Sequence, residues 1–124
     1  IGILPQLVRG KFKSKGKSEK EKKQLIKDAI ILEKSGCFGI VLECIEKNLS
    51  NKITKLINIP TIGIGSSNYC DGQILVTDDL LGLTNSKIKF VKKYVDLKKY
   101  IRKGVKKYKS EVINNKYPSK NYSY

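Results

Sequence analysis

The stretch GIVLECIEKNL, Gly39 to Leu49, opens with an unbroken apolar run, Ile40, Val41 and Leu42, and then places a carboxylate, Glu43, where that run ends. A short β-branched segment with no polar alternation is the pattern of a strand covered on both faces in a parallel sheet. Successive strand side chains point to opposite faces, so Gly39, Val41 and Glu43 share one face while Ile40 and Leu42 share the other. Glu43 thus closes a face that is otherwise apolar. Two readings are open from the residues alone. Either the side chain leaves the strand into solvent or toward a lysine, or it sits at the C-terminal end of a parallel strand, where β/α folds collect their chemistry. In the second case its apolar neighbours partly desolvate the carboxylate and raise its pKa toward the range useful to a general base.

Working outward, the flanking segments alternate in the manner of β/α units. Ile1 to Pro5 is a short apolar piece suited to the end of a strand, and VRGKFKSKGKS, Val8 to Ser18, is a glycine-punctuated basic loop. Ser18 and Glu21 have capping-box spacing ahead of Leu25, Ile26, Ala29, Ile30 and Leu32, which predicts an amphipathic helix closed by Gly36. Leu49, Ile53, Leu56 and Ile57 predict a second helix stopped before Pro60. PTIGIG (Pro60 to Gly65) and GQILV (Gly72 to Val76) read as two further strands, and the order implies right-handed parallel crossovers, at least for the first pair. In the last third, Ile88, Val91 and Val95 suggest a short helix. Asp96 then caps a longer one with Leu97, Ile101, Val105, Tyr108 and Val112 on one face, a face that needs either the body of the domain or a neighbouring subunit. NNKYPSKNYSY, Asn114 to Tyr124, reads as an extended tail.

At 124 residues the chain suits one domain, well below the roughly 250 residues of a closed eight-stranded barrel. It begins at Ile1 rather than at methionine, which leaves a truncated, cropped or split chain open; nothing in it resembles a secretory signal and no apolar run approaches a membrane span, so a soluble protein is the expectation. Cys37, Cys44 and Cys70 are odd in number and lack metal-ligand spacing, which fits a reducing compartment. The net charge of +15 raises nucleic-acid binding as a rival reading. All but Arg9 and Arg102 of the 26 basic residues are lysine, however, a composition that decorates solvated surface and lacks the bidentate fork favoured for phosphate. Gly63 and Gly65 fit a tight strand-to-loop turn better than an anion cradle, because a third glycine in dinucleotide spacing is missing. Asp71, Asp78 and Asp79 are expected to cap helices or pair with lysine rather than to hold a metal.

IGILPQ, IVLECI, IPTIGIG, CDGQILV, DDLLGL, KFVKKY and NKYPSKNYSY resemble, in order and spacing, the C-terminal half of the ketopantoate hydroxymethyltransferase family, across essentially all 124 residues. The resemblance implies an α/β fold, the C-terminal half of a (β/α)8 TIM barrel comprising strands five to eight with extra C-terminal helices. It implies that Glu43, in the matched VLEC, is the proton acceptor. The reaction it implies is hydroxymethyl transfer from 5,10-methylenetetrahydrofolate to 3-methyl-2-oxobutanoate, giving 2-dehydropantoate for pantothenate synthesis. The magnesium ligands and the substrate-binding lysine of that family lie in the N-terminal half, so no metal residue and no substrate-binding residue is assigned in this chain. A homo-oligomer, a decamer by resemblance, is expected in the cytoplasm, or in the mitochondrion of a eukaryote, with no membrane and no specific nucleic-acid partner. Departures from the pattern are the absence of histidine, Ser66 and Ser67 in place of an Ala-Gly pair, and Asn121 and Tyr122 in place of Glu-His. They keep a decayed, inactive copy open as the alternative, ahead of a basic nucleic-acid-binding protein.

Overall fold

The computed structural model of the chain describes residues 1–3 and 13–124. The expected strand end up to Pro5 and the front of the basic loop therefore fall largely outside the described residues. Two compact units are present: Ile1–Leu75 with Lys87–Val91, and Val76–Ser86 with Lys92–Tyr124.

The first unit is α/β. Helix α1 spans Glu19–Lys34, strand β1 Ile40–Glu43, helix α2 Lys47–Leu56, strand β2 Thr61–Ile64 and strand β3 Gly72–Gln73. The three strands are parallel in the order β1-β2-β3, with Val41 opposite Ile62 and Glu43 opposite Ile64. Gly2 adds a parallel bridge to Glu43 on the other side of β1. Helix α1 lies between Gly2 and β1 and helix α2 between β1 and β2, so each returns the chain parallel to the segment before it, whereas β2 and β3 are joined by a loop, residues 65–71, without a helix.

Ser18 caps α1 as its sequence spacing predicts, its hydroxyl accepting the Glu21 N–H at 3.2 Å. Glu21 does not complete the reciprocal box. Its carboxylate instead accepts the N–H groups of Gly16 (3.1 Å) and Lys17 (3.3 Å), tying the end of the basic loop to the helix. Helix α2 is capped by Glu46, whose two carboxylate oxygens accept the N–H groups of Asn48 and Leu49, each at 3.0 Å. Those bonds satisfy two of the orphan donors of the first turn and hold the Glu46 pKa below its ordinary value. The core forms where the apolar stripes of both helices meet the outer face of β1: Leu25 and Ala29 from α1, Leu49 and Ile53 from α2, and Ile40 and Leu42 from the strand.

A polar network at the other end of β2 has no counterpart in the sequence reading. Asp71 accepts the Thr61 N–H (2.8 Å) and hydroxyl (2.9 Å), and the Thr61 hydroxyl lies 2.8 Å from that of Thr54. Thr61 is fully buried, and these bonds hold the Asp71 carboxyl below its usual pKa. A carboxylate whose folded pKa is depressed stabilises the fold above its unfolded value and loses that contribution as pH falls through the folded value. Asp71→Ala is therefore expected to cost about 1–2 kcal/mol at neutral pH, the range for leaving buried donors without an acceptor at a partly solvated site. Urea midpoints measured against pH check it: the wild type should lose more stability than the variant between pH 5 and the acid limit, and parallel curves would contradict the assignment.

The second unit contains the short helix α3, Thr77–Leu80, the long helix α4, Leu97–Ile113, and a 3-10 turn at Lys120–Tyr122. Two expectations are corrected here. The strand expected to run to Val76 stops at Gln73 because Thr77, Asp78 and Asp79 open a helical turn, with acidic side chains at its N-terminus. The helix expected over Ile88 to Val95 is a single turn, Val91 N–H to the Ile88 carbonyl at 3.0 Å. Within the second unit the Tyr94 and Leu97 N–H groups go instead to the carbonyls of Leu80 and Leu81, at 2.9 and 3.0 Å, so they are not available for i to i−4 bonds. Asp96 caps α4 as expected, accepting the Lys99 N–H at 3.3 Å. The tail folds back on α4 through rings: Tyr108 meets Tyr117 edge-on at 5.4 Å, and Tyr117 lies 6.3 Å from Tyr122.

Candidate functional site at the end of the first strand

The C-terminal end of β1 is held from both sides. Toward the chain start, the Glu43 N–H donates to the Ile1 carbonyl and the Glu43 carbonyl accepts the Ile3 N–H, both at 2.9 Å. Toward β2, the Cys44 N–H donates to the Ile64 carbonyl at 2.9 Å. Gly2 faces Glu43 with a φ of 107°, and a side chain there would overlap the Glu43 carbonyl. Close approach of the two backbones is what requires glycine at that position.

The alternation read from the sequence is present in the strand. Ile40 and Leu42 are buried against the helices, whereas Val41 is 41 % exposed and Glu43 partly exposed on the opposite face. Parallel register puts Ile62 and Ile64 of β2 on the same face as Val41 and Glu43. Glu43 thus ends an apolar patch. Among the described residues its carboxylate accepts no hydrogen bond. Desolvation raises its pKa above the ordinary carboxylate value, with the positive charge at the Ile1 amino group opposing the rise.

After Glu43 the chain turns sharply. Cys44 adopts a φ of 51°, a left-handed conformation uncommon for a residue with a side chain. Its thiol is buried, and desolvation together with the neighbouring Glu43 charge raises its pKa. Ser66, just beyond β2, spans the turn: its hydroxyl donates to the Leu42 carbonyl at 2.7 Å and accepts the Ile45 N–H at 3.0 Å. Gly65, with a φ of 61°, makes the bend that leads into Ser66 and lies under the ring of Phe90. A cavity of about 420 Å³ opens beside these strand ends, lined by Cys44, Ile45, Lys47, Ser66, Lys89 and Phe90 among others. A cleft of about 590 Å³ near the start of α1 and α2 is lined by helix and loop residues only.

The glycine pair behaves as strand-end packing. Gly63 sits beneath the Gln73 side chain and Gly65 beneath Phe90. Asp71 is committed to Thr61, and Asp79 in the second unit accepts the Thr84 hydroxyl. No group of three or more His, Cys, Asp or Glu side chains among the described residues is placed to hold a metal ion. No described helix is long and apolar enough to cross a membrane. Sequence reading missed Ser66 and Phe90 as parts of this strand end, because neither carries a local signal beyond a polar or aromatic residue in a loop.

The sequence profile of the family described as ketopantoate hydroxymethyltransferase matches residues 1–120. Proteins named 3-methyl-2-oxobutanoate hydroxymethyltransferase match over the whole chain. Those of Pelagibacter ubique (strain HTCC1062) and Clostridium botulinum (strain 657 / Type Ba4) are each 49 % identical. That of Francisella tularensis (strain FSC 198) is 46 % identical. The matched region is 48 %, 46 % and 48 % of those relatives, respectively. The chain spans about half the length of the curated relatives it matches.

Proposed function

This chain belongs to the ketopantoate hydroxymethyltransferase family, and we propose that it contributes strands five to eight of a β/α barrel that transfers a hydroxymethyl group to 3-methyl-2-oxobutanoate. Its α/β fold with a small parallel sheet, matching half of each relative, is the observation that supports a partial barrel. The one-carbon donor is 5,10-methylenetetrahydrofolate and the product 2-dehydropantoate.

Glu43 is the base. A lone carboxylate at a parallel strand's C-terminal end, with apolar neighbours and a raised pKa, is suited to take the proton from the carbon next to the keto group. That carbon then forms the new C–C bond to the one-carbon unit, water supplies the hydroxyl and tetrahydrofolate leaves. The family's magnesium is not matched by the described donor set: Glu43 stands alone at its strand end and Asp71 is engaged with Thr61. In this proposal its ligands belong to the part of the relatives that this chain does not span. The test is turnover of Glu43→Gln in the assembled enzyme, meaning this chain joined to the remaining half of the barrel. A homo-oligomer is part of the same proposal, and light scattering on the assembled enzyme checks it.

The lysines carry no second function in this reading. Helix α4 has no buried residue, and Lys107 meets Glu111 at 3.8 Å across an exposed surface. Affinity for duplex DNA is therefore expected to be independent of sequence and to collapse as salt approaches physiological strength, because all of it is counterion release. A fluorescence-anisotropy titration over a salt series checks this, and a tight, sequence-selective complex at that salt would overturn it.

A further inference from the structure

We propose that Ser66 is a positioning residue for Glu43, its hydroxyl fixing the direction in which the end of β1 delivers the carboxylate. The inference rests on the reading of Glu43 as the base.

The residues on either side of Glu43 and Cys44 are both bonded to one oxygen atom. Ser66 Oγ donates its only proton to the Leu42 carbonyl and accepts the Ile45 N–H, so a side chain from the β2 end closes a ring around the Glu43–Cys44 step. Leu42 and Ile45 are themselves buried, which anchors both ends of that ring in the core. Between them Cys44 is in the left-handed region, a conformation unfavourable for a residue with a side chain, which persists only where the surroundings hold it. Four bonds hold it here: the Cys44 N–H to Ile64, the Lys15 N–H to the Cys44 carbonyl, and the two of the Ser66 bridge. Only the bridge comes from a side chain and spans both flanks. Removing the hydroxyl leaves the Ile45 N–H in a buried residue without its acceptor, and the turn has an incentive to rearrange toward water. Glu43 is the residue that such a rearrangement redirects. The two backbone bonds at Cys44 remain when the hydroxyl is lost, so a graded effect rather than collapse is expected.

The experiment compares Ser66→Ala and Ser66→Thr in the assembled enzyme. Ser66→Ala is expected to lower kcat about tenfold with little change in KM, a fraction of the hundredfold that a misplacement of about 1 Å can cost. The acidic limb of its kcat/KM profile should move toward lower pH as the loosened strand end hydrates Glu43, and the Ile45 amide should exchange faster. Ser66→Thr, which keeps the hydroxyl, should restore all three. An unchanged acidic limb and unchanged kcat in Ser66→Ala overturn the proposal, as does an equal loss in both variants with no movement of the limb. If Glu43→Gln itself retains turnover, the reading of Glu43 has failed. The Ile45 exchange rate and a carbon NMR titration of the Glu43 carboxyl then decide the bridge separately: a shift in Ser66→Ala upholds it and no shift overturns it.

Discussion

Glu43→Gln in the assembled enzyme is expected to lower kcat by about two to four orders of magnitude, the usual range for loss of a general base. The amide keeps the shape and hydrogen-bonding capacity of the carboxylate and removes only its ability to take a proton. KM should change little, since the proposal gives Glu43 no part in binding. The strand end should keep its form, because the backbone bonds that hold it, to Ile1, Ile3 and Ile64, do not involve the side chain. The wild-type pH profile carries a second part of the prediction. A base works in its deprotonated form, so a folded pKa raised by desolvation moves the acidic limb of kcat/KM above the ordinary carboxylate value. That limb should vanish in Glu43→Gln. Stopped-assay rates from pH 4 to pH 9 on both proteins settle the matter, and a folded variant with near-wild-type turnover would sink the assignment of the base.

The 124 residues by themselves are expected to show no hydroxymethyl transfer with keto acid, 5,10-methylenetetrahydrofolate and magnesium supplied together. The physical reason lies in the sheet. Val41 is 41 % exposed and Ile74 50 % exposed, on a face whose polar end is the proposed base. In a barrel such a face is filled by layers of side chains from the other strands, and water is kept out by them. Strand β3, only two residues long, ends the sheet with its outer edge unpaired among the described strands. An uncovered apolar face and a free edge favour association between copies, so the purified chain should sediment as more than a monomer. Activity should appear when the N-terminal half of a relative is added, in trans or as a fusion. Robust turnover by the chain alone would show that the metal and substrate contacts have been placed in the wrong half, and no turnover in the fusion would favour the decayed copy over the enzyme.

Much of the local structure was legible because it is written in short-range periodicity. Leu25 and Ala29 in α1, and Leu49 and Ile53 in α2, recur at helical spacing, and all four are buried. Ser18 and Asp96 act within three residues of their targets, so their capping roles follow from spacing alone. Where the same logic failed, backbone donors had gone elsewhere. Val91 and Val95 have the spacing of a helix face, yet the Tyr94 and Leu97 N–H groups bond to carbonyls of the Leu80–Leu81 segment more than ten residues away. Apolar spacing says nothing about such distant acceptors.

By itself the sequence determined the order of helices and strands around Glu43, the face on which Glu43 lies, and the family, through motifs in register over the whole chain. Tertiary structure alone decided what holds Glu43 in place. The Ser66 bridge to Leu42 joins residues 24 positions apart, and the Asp71 contact with Thr61 joins residues 10 apart. Each depends on β1 and β2, or β2 and β3, lying side by side. A hydroxyl or carboxylate in a loop has the same local pattern whether it faces water or closes a strand end, so only the pairing of the strands makes the difference.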